Sequence, residues 1–114
     1  MKKYKKVICV DLDGTLCSLT KGQYFRAKPK MKAIKKVNNL YMEGNKIIIF
    51  TARFMGRNKD NKAKAKKQGY LITLKQLKRW RLKFHKLIMG KPSYDILIDD
   101  KAFGYSHRWL NRKF

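Results

Sequence analysis

Four of the seven acidic residues in the sequence form two close pairs, Asp11 with Asp13 and Asp99 with Asp100. Each pair follows a run of apolar residues. Carboxylate oxygens suit Mg²⁺, which accepts one or two carboxylates and completes its shell with water and a substrate phosphate. We therefore expect all four residues at a Mg²⁺ site, with Asp100 behind Asp99, contacting the ion through water or accepting a hydrogen bond. The alternative is two turn-forming dipeptides, because Asp is common where strands end.

Two further apolar runs end in residues that can bind phosphate, Thr51 and Lys91. Ligands of open parallel sheets lie beyond the carboxyl ends of the strands, so these side chains should meet the acidic pairs. The combination suits phosphoryl transfer to a carboxylate. Asp11 would attack the phosphorus, and Asp13 would protonate the leaving oxygen and later take a proton from water. The Thr51 hydroxyl and the Lys91 ammonium would hold the remaining phosphoryl oxygens through the transition state.

Four short, continuous apolar runs predict the strands that position these residues. They are Val7–Val10, Lys46–Phe50, Lys86–Met89 and Ile96–Ile98. Continuous rather than alternating runs indicate strands buried on both faces, so we expect a mainly parallel sheet with helices on either side. The predicted fold class is α/β, in one domain spanning residues 1–114.

The segments between the strands predict helices. Pro29 at a first helical position and Gly44 beyond the last turn delimit one helix. Thr73 with Gln76 three residues on forms a capping box, which predicts the start of a later helix. Residues 58–68 are lysine-rich, are followed by Gly69 and have almost no apolar face, so any helix there is marginal and ends at Gly69.

Two more segments carry weaker signals. The pattern loosens over residues 16–28, as a small hairpin or flap beside the site would show. Near the end of the chain, Ser106 is placed to cap one last short helix carrying Trp109.

Composition excludes several classes of protein. A chain of 114 residues is expected to form one compact domain. Its longest apolar stretch, Ile47–Phe50, is far too short to span a membrane. Residues 1–6 are basic like the start of a signal peptide, but the apolar run that follows is too short, so we expect a cytoplasmic protein. Cys9 and Cys17 lack a second pair or a neighbouring His, which favours two reduced thiols.

The formal net charge is +23, from 30 basic and 7 acidic residues. Such a charge attracts phosphates and polyanions to the surface. However, 23 of the basic residues are Lys and only 7 are Arg, whereas base and bidentate phosphate recognition favours the guanidinium group. The lysines are also scattered along the chain. We therefore favour a solvated basic surface over a dedicated nucleic-acid site, and binding of nucleic acid or another polyanion stays open.

Four segments, in order, resemble the motifs of the haloacid dehalogenase (HAD) superfamily. Residues 11–16 (DLDGTL) resemble the first motif, 50–53 (FTAR) the second, 90–92 (GKP) the third and 98–100 (IDD) the fourth. The resemblance implies a Rossmann-like, HAD-like three-layer sandwich with a mainly parallel central sheet. It also implies hydrolysis of phosphomonoesters through a phospho-aspartate, with Mg²⁺ as cofactor.

The resemblance also implies substrate contacts and a minimal architecture. Gly14, Thr15, Ala52 and Arg53 match positions near the phosphate, although a structural role for Arg53 is equally open. Neither interval between the motifs is long enough for a large cap domain, so the chain resembles a capless member. The open site of such a protein suits a large substrate, or a homo-oligomer in which a neighbour covers it.

Residues 86–103 are similar to small HAD phosphatases associated with capsule and surface-polysaccharide synthesis. This similarity implies a small phosphorylated metabolite as substrate, such as a sugar or polyol phosphate. Two alternatives remain. One is a nucleotide or polynucleotide 3′-phosphatase that uses the basic surface. The other is a non-catalytic basic binding protein on a HAD fold.

Overall fold

The computed structural model describes residues 3–114, which form an α/β fold around a parallel sheet. The sheet contains three strands in the order β1-β2-β3, with all neighbours parallel. The main elements are β1 (Val7–Val10), α1 (Met31–Met42), β2 (Lys46–Thr51), α2 (Lys62–Arg79) and β3 (Lys86–Met89). The predicted fold class is thus confirmed at the level of a Rossmann-like α/β arrangement, and the first three predicted strands are confirmed.

The core lies on one face of the sheet. Side chains alternate between the faces of a strand, and the members of one set, Val10, Ile47, Ile49 and Leu87, are all buried in the main hydrophobic cluster together with side chains of both helices. Strands that are consecutive in the chain are also neighbours in the sheet. Right-handed crossovers between such strands bring both connecting helices to the same face. The other face carries Val7, which is 63% exposed. Within the described residues the sheet is therefore covered on one face, not on both as expected.

Helix α1 has the predicted apolar face, but it begins at Met31 with Lys30 at the N-cap position, so Pro29 precedes the helix and is not its first residue. Its buried residues Ala33, Ile34, Val37 and Leu40 have the spacing of one helical face. Gly44 follows the helix with φ of +100°, the left-handed conformation that ends many helices.

Helix α2 corrects two predictions, the marginal helix over residues 58–68 and the separate helix that starts at Thr73. It is continuous over residues 62–79, and Asn61 caps it by accepting a hydrogen bond from the Lys64 backbone N–H. The predicted capping box at Thr73 and Gln76 is therefore wrong, because both residues lie inside the helix. They are one turn apart on its buried face, where they accept hydrogen bonds from a buried guanidinium described below.

Gly69 lies in the middle of α2 and does not end a helix. A Cβ atom at this position would lie 2.3 Å from Cδ2 of Phe54 and 3.0 Å from Cε of Met89. The glycine lets the Phe54 ring pack directly against the helix backbone. Close packing against Phe54 therefore explains this glycine, which the sequence pattern predicts to be the end of a helix.

The predicted fourth strand is absent from the described chain. Residues 91–100 have no regular structure, and Ile96 and Ile98 are 79% and 94% exposed. Only six residues, Gly90–Asp95, separate β3 from this apolar run. A connection between parallel strands of one sheet needs a dozen or more residues. Chain length therefore prevents this run from joining its own sheet as a parallel strand.

The end of the chain returns to the core. Ser106 caps a short 3₁₀ helix, His107–Asn111, by accepting a hydrogen bond from the Arg108 backbone N–H. The cap and the short helix are as the sequence predicts, and Trp109 within the helix is 8% exposed and belongs to the main hydrophobic cluster. Neither α-helix in residues 3–114 has the apolar length needed to cross a bilayer.

The packing of Gly69 can be tested with the variant Gly69→Ala. Alanine favours a helix interior by about 1 kcal/mol over glycine. We nevertheless expect a net loss of about 1–2 kcal/mol in the free energy of unfolding, because overpacking against the Phe54 ring outweighs that gain. Urea denaturation measures the change. The control Gly56→Ala meets no atom within 4 Å. A Gly69→Ala protein as stable as the wild type would refute this account.

Candidate active site

Asp11 lies at the carboxyl end of β1 between a hydroxyl and an ammonium group. The Thr15 hydroxyl donates to its Oδ2 at 3.0 Å, and Lys91 Nζ donates to its Oδ1 at 3.2 Å. The turn that carries Thr15 requires Gly14, whose φ is +87°. The side chain of Asp11 is still 39% exposed. The carboxylate is thus held in place and remains accessible to a ligand.

Lys91 reaches Asp11 from the end of β3. Its backbone N–H donates to the Thr51 carbonyl at 3.1 Å, which extends the pairing of β2 with β3 and directs the side chain towards β1. Burial disfavours the ammonium, but contacts with the Tyr94 hydroxyl and the Asp11 carboxylate outweigh that effect and raise the pKa of Lys91. The ammonium therefore stays charged at neutral pH.

Asp13 forms an ion pair with Arg53, whose side chain is fully buried. Arg53 Nε donates to Asp13 Oδ2 at 2.9 Å, and Nη2 donates to Oδ1 at the same distance. Nη1 donates to Gln76 Oε1 at 2.6 Å and to the Thr73 hydroxyl at 3.4 Å. The structure therefore commits the guanidinium to Asp13 and α2, and the structural role left open by the sequence describes Arg53 better than phosphate binding.

Thr51 is the last residue of β2 and Ala52 follows it, and both line a small cavity together with Asp11 and Asp13. The Thr51 side chain is buried, and its oxygen accepts a hydrogen bond from the Arg53 backbone N–H at 3.1 Å. The cavity has a volume of about 280 Å³, near the lower limit of roughly 300 Å³ for ligand pockets. Its other walls come from the Arg53 side chain and from the loop after β1.

That loop forms the predicted flap. Its two ends are joined by hydrogen bonds from the Ser18 N–H to the Lys28 carbonyl and from the Lys30 N–H to the Leu16 carbonyl, both at 2.9 Å. The Tyr24 hydroxyl accepts from the Phe54 N–H at 3.2 Å and so fixes the flap to the segment after β2.

The sequence indicates Tyr24 only as a flap aromatic that lines the entrance or packs, and it does not indicate Gln76 as part of the site. The Gln76 amide donates to the Tyr24 carbonyl while its oxygen accepts from Arg53, so it joins the flap to the ion pair. A polar residue on the buried face of α2 was the available signal.

Asp99 and Asp100 do not join the first acidic pair in this chain. Both are exposed, and no three His, Cys, Asp or Glu side chains of residues 3–114 gather as metal ligands. Both oxygens of Asp13 accept hydrogen bonds from Arg53. One chain as described therefore brings Asp11 and Asp13 together at the cavity but leaves Asp99 and Asp100 apart from them, and the physical reason is the short connection after β3.

A larger cavity, of about 770 Å³, lies beside β3. It is lined by aromatic, aliphatic and lysine side chains, including Tyr41, Tyr70 and Phe84. None of its lining residues is acidic. It therefore offers no carboxylate nucleophile, and the smaller cavity at Asp11 is the candidate active site.

Cys17 lies beside the ion pair, but its thiol stays protonated at neutral pH. Its thiol donates to Asp13 Oδ1 at 3.3 Å. Burial, followed by the charge of Asp13, raises the pKa of Cys17 to about 12. Burial also raises the pKa of Cys9, although that residue is exposed on β1. Both thiols are free, as the sequence predicts.

Comparisons with known proteins support the fold. No family model matches the sequence, and no curated protein matches it. The chain is similar to the crystal structure of a structural-genomics target from Vibrio cholerae, with 25% sequence identity and a TM-score of 0.80. The similarity covers 93% of this chain and 94% of that chain. It therefore extends over nearly the whole α/β domain.

The role of Arg53 can be tested with Arg53→Met, which leaves Asp13 without its ion-pair partner and removes the donor to Thr73 and Gln76. Breaking a buried ion pair by removing one partner costs about 3–5 kcal/mol in the free energy of unfolding, and we expect a loss of this size. Arg53→Lys should also destabilise, since an ammonium cannot bind both carboxylate oxygens in the same way. The control is Arg79→Met on the exposed face of α2. Equal urea midpoints for Arg53→Met and Arg79→Met would contradict the assignment.

Proposed function

We propose that this protein is a phosphomonoesterase of the HAD type that uses Asp11 as its nucleophile. One observation carries the proposal. An accessible carboxylate lies at the carboxyl edge of a parallel sheet, bonded to Thr15 and Lys91 and opening into a small cavity. This is the position in which ligands of open α/β sheets bind. The four HAD-like motifs, in their family order, give independent support.

The proposed reaction begins with attack of an Asp11 carboxylate oxygen on the phosphorus. The bond from phosphorus to the leaving oxygen breaks, and that oxygen takes a proton from Asp13. Water then attacks the aspartyl-phosphate, gives a proton to Asp13, and releases phosphate and the free carboxylate. Of the two Asp13 oxygens, Oδ2 accepts a single hydrogen bond from Arg53, so it is the oxygen better placed to exchange the proton.

The other residues position the phosphoryl group and balance its charge. The Lys91 ammonium would bind non-bridging oxygens, where negative charge persists through the transition state. Thr51 uses an oxygen lone pair to accept from the Arg53 N–H, so its hydroxyl proton stays available for the phosphate. Thr15 orients the nucleophile, and Arg53 orients Asp13 from below the site.

Mg²⁺ as cofactor and the full HAD-like three-layer sandwich are further parts of the proposal. Both rest on the four motifs, since one chain as described provides neither the complete ligand set nor the fourth strand. A divalent ion at such a site reduces the repulsion between a carboxylate and a phosphate dianion.

We propose a small sugar or polyol phosphate as the substrate. The size of the cavity favours a compact group, and the similarity of residues 86–103 to phosphatases of surface-polysaccharide synthesis points in the same direction. Leu19 of the flap lines the cavity and is exposed, and within residues 3–114 no large cap domain covers the site.

The nucleophile can be tested with Asp11→Asn. We expect loss of phosphate release by at least about 1,000-fold across a panel of phosphomonoesters, since the amide cannot form the covalent intermediate. The control is Asp60→Asn, which removes an exposed acid outside the site. Acid-quenched wild-type protein should carry a phosphoryl group that Asp11→Asn lacks. We also expect a chelator to abolish turnover and added Mg²⁺ to restore it.

Three results would count against the proposal. Turnover that persists in full chelator would remove the metal from it, and unchanged turnover in Asp11→Asn would remove the nucleophile. An absence of turnover on every phosphomonoester would favour a non-catalytic basic protein.

A nucleotide or polynucleotide 3′-phosphatase is the second candidate, supported by the net charge of +23. Salt separates the two candidates. If several lysines bind a strand, raising the salt concentration from 50 to 200 mM should weaken its apparent affinity on the order of 100-fold. We expect a much smaller change for a sugar phosphate, as measured by KM. A polynucleotide substrate with the steep dependence would reverse the order of the candidates.

A further inference from the structure

Residues 92–100 form an exposed segment that differs in character from the rest of the chain. It contains three of the seven acidic residues and no basic residue, whereas the whole chain carries +23. Its apolar run is also exposed, with Ile96, Leu97 and Ile98 at 79%, 54% and 94%. We refer to residues 92–100 as the acidic arm. Apolar side chains as exposed as these usually mark an interaction site.

The outer edge of β1 is an open docking position for a strand. In the described chain β1 pairs only with β2, so its other edge has unpaired backbone groups. The strand itself, Val7–Val10, holds no charge and no proline, the features that normally prevent an edge from pairing. Lys5 and Lys6 directly precede it. The edge therefore suits an apolar strand that begins with an acidic residue.

The arm of the same chain cannot fill this position. The six residues Gly90–Asp95 are too few for a parallel crossover from β3 to the far edge of β1. An antiparallel hairpin against β3 fits the length, but it would carry Asp99 towards the amino end of the sheet, away from Asp11. A short connection of this kind favours exchange of the segment between chains.

We propose that the acidic arm of a second copy of this chain adds to β1 as a parallel strand and supplies Asp99 to the active site. The occupant is another copy because each chain offers both the open edge and the arm, so one two-fold axis satisfies both. Charge complementarity favours the arm over any other segment, since the remaining surface of a chain with +23 repels its copy.

The matching patterns of the two strands define the register. Val10 precedes Asp11 as Ile98 precedes Asp99, which places Ile98 beside Val10 and Leu97 beside Cys9. Asp99 of the second copy would then lie next to Asp11.

This pairing would complete the ligand set for a divalent cation that one chain lacks. This last step rests on the proposed function, whereas the strand exchange does not. Asp95 of the arm would lie near the lysines that precede β1.

The register can be tested by oxidising a Leu97→Cys variant. Parallel strands lie about 4.8 Å apart, within the Cα separation that a disulfide needs. We expect a disulfide with Cys9 that links two chains, seen as a dimer on a non-reducing gel. The control Cys9→Ser/Leu97→Cys should lose the specific link, and Cys17 is buried. A disulfide within one chain, or no disulfide, would overturn the proposal.

Assembly provides a test that does not depend on a new thiol. We expect the wild-type protein to sediment as a dimer or larger oligomer and Ile98→Lys to shift it to the monomer. Ile98 is 94% exposed, so the change should not affect the fold of one chain. The control Ile72→Lys alters a residue 52% exposed on α2. A monomeric wild type, or equal shifts in both variants, would refute strand exchange.

Complementation tests whether Asp99 crosses to the other site. Asp11→Asn and Asp99→Asn should each be inactive alone, and refolding them together should restore about a quarter of wild-type turnover, since half the dimers hold one intact site. An active wild type without complementation would overturn the assignment of Asp99. An inactive wild type would reject the proposed function, while the disulfide and sedimentation results would still decide the exchange.

Discussion

The structure depends on one buried ion pair between Arg53 and Asp13. A buried guanidinium is stable only if its donors are satisfied, and here Asp13, Thr73 and Gln76 accept them. The four residues come from the loop after β1, the segment directly after β2 and the second half of α2. The pair therefore fixes the relative positions of three chain segments at the carboxyl edge of the sheet. Gln76 extends this network to the flap through the Tyr24 carbonyl.

The same ion pair explains why the sequence predicts a helix start at Thr73 where the structure has the interior of α2. Thr73 and Gln76 have the spacing of a capping box, and nothing within the helix shows that their partner lies twenty or more residues earlier in the chain. Gly69 likewise ends a lysine-rich stretch in the sequence, whereas its reason is contact with the Phe54 ring. Local patterns identified the strands β1, β2 and β3 because each is one continuous apolar run. Long-range polar and steric contacts left no comparable local signal.

The grouping of the candidate site residues was predictable from the sequence where the order of the strands alone determines it. Asp11, Asp13, Thr51 and Lys91 meet because parallel neighbours end at one edge of the sheet. Asp99 and Asp100 follow an equally clear apolar run, but the length of the preceding connection, and not the run itself, decides whether that run can join the sheet. The role of Arg53 was undecided from sequence because only burial separates a phosphate ligand from a structural partner of Asp13.

Charge links the proposed reaction to the proposed exchange of strands between two chains. Lys91 binds Asp11 in the free site, and an incoming phosphate would compete for the same ammonium, which would release a carboxylate oxygen for attack. The proposed reaction needs further positive charge, because the Asp11 carboxylate and a phosphate substrate are both anions. Another carboxylate beside Asp11 would increase the repulsion unless it also held a divalent ion. Asp99 of a second copy therefore helps the proposed reaction only if it binds a divalent ion together with Asp11. In that case the exchanged strand both pairs with the open edge of β1 and completes the proposed metal site.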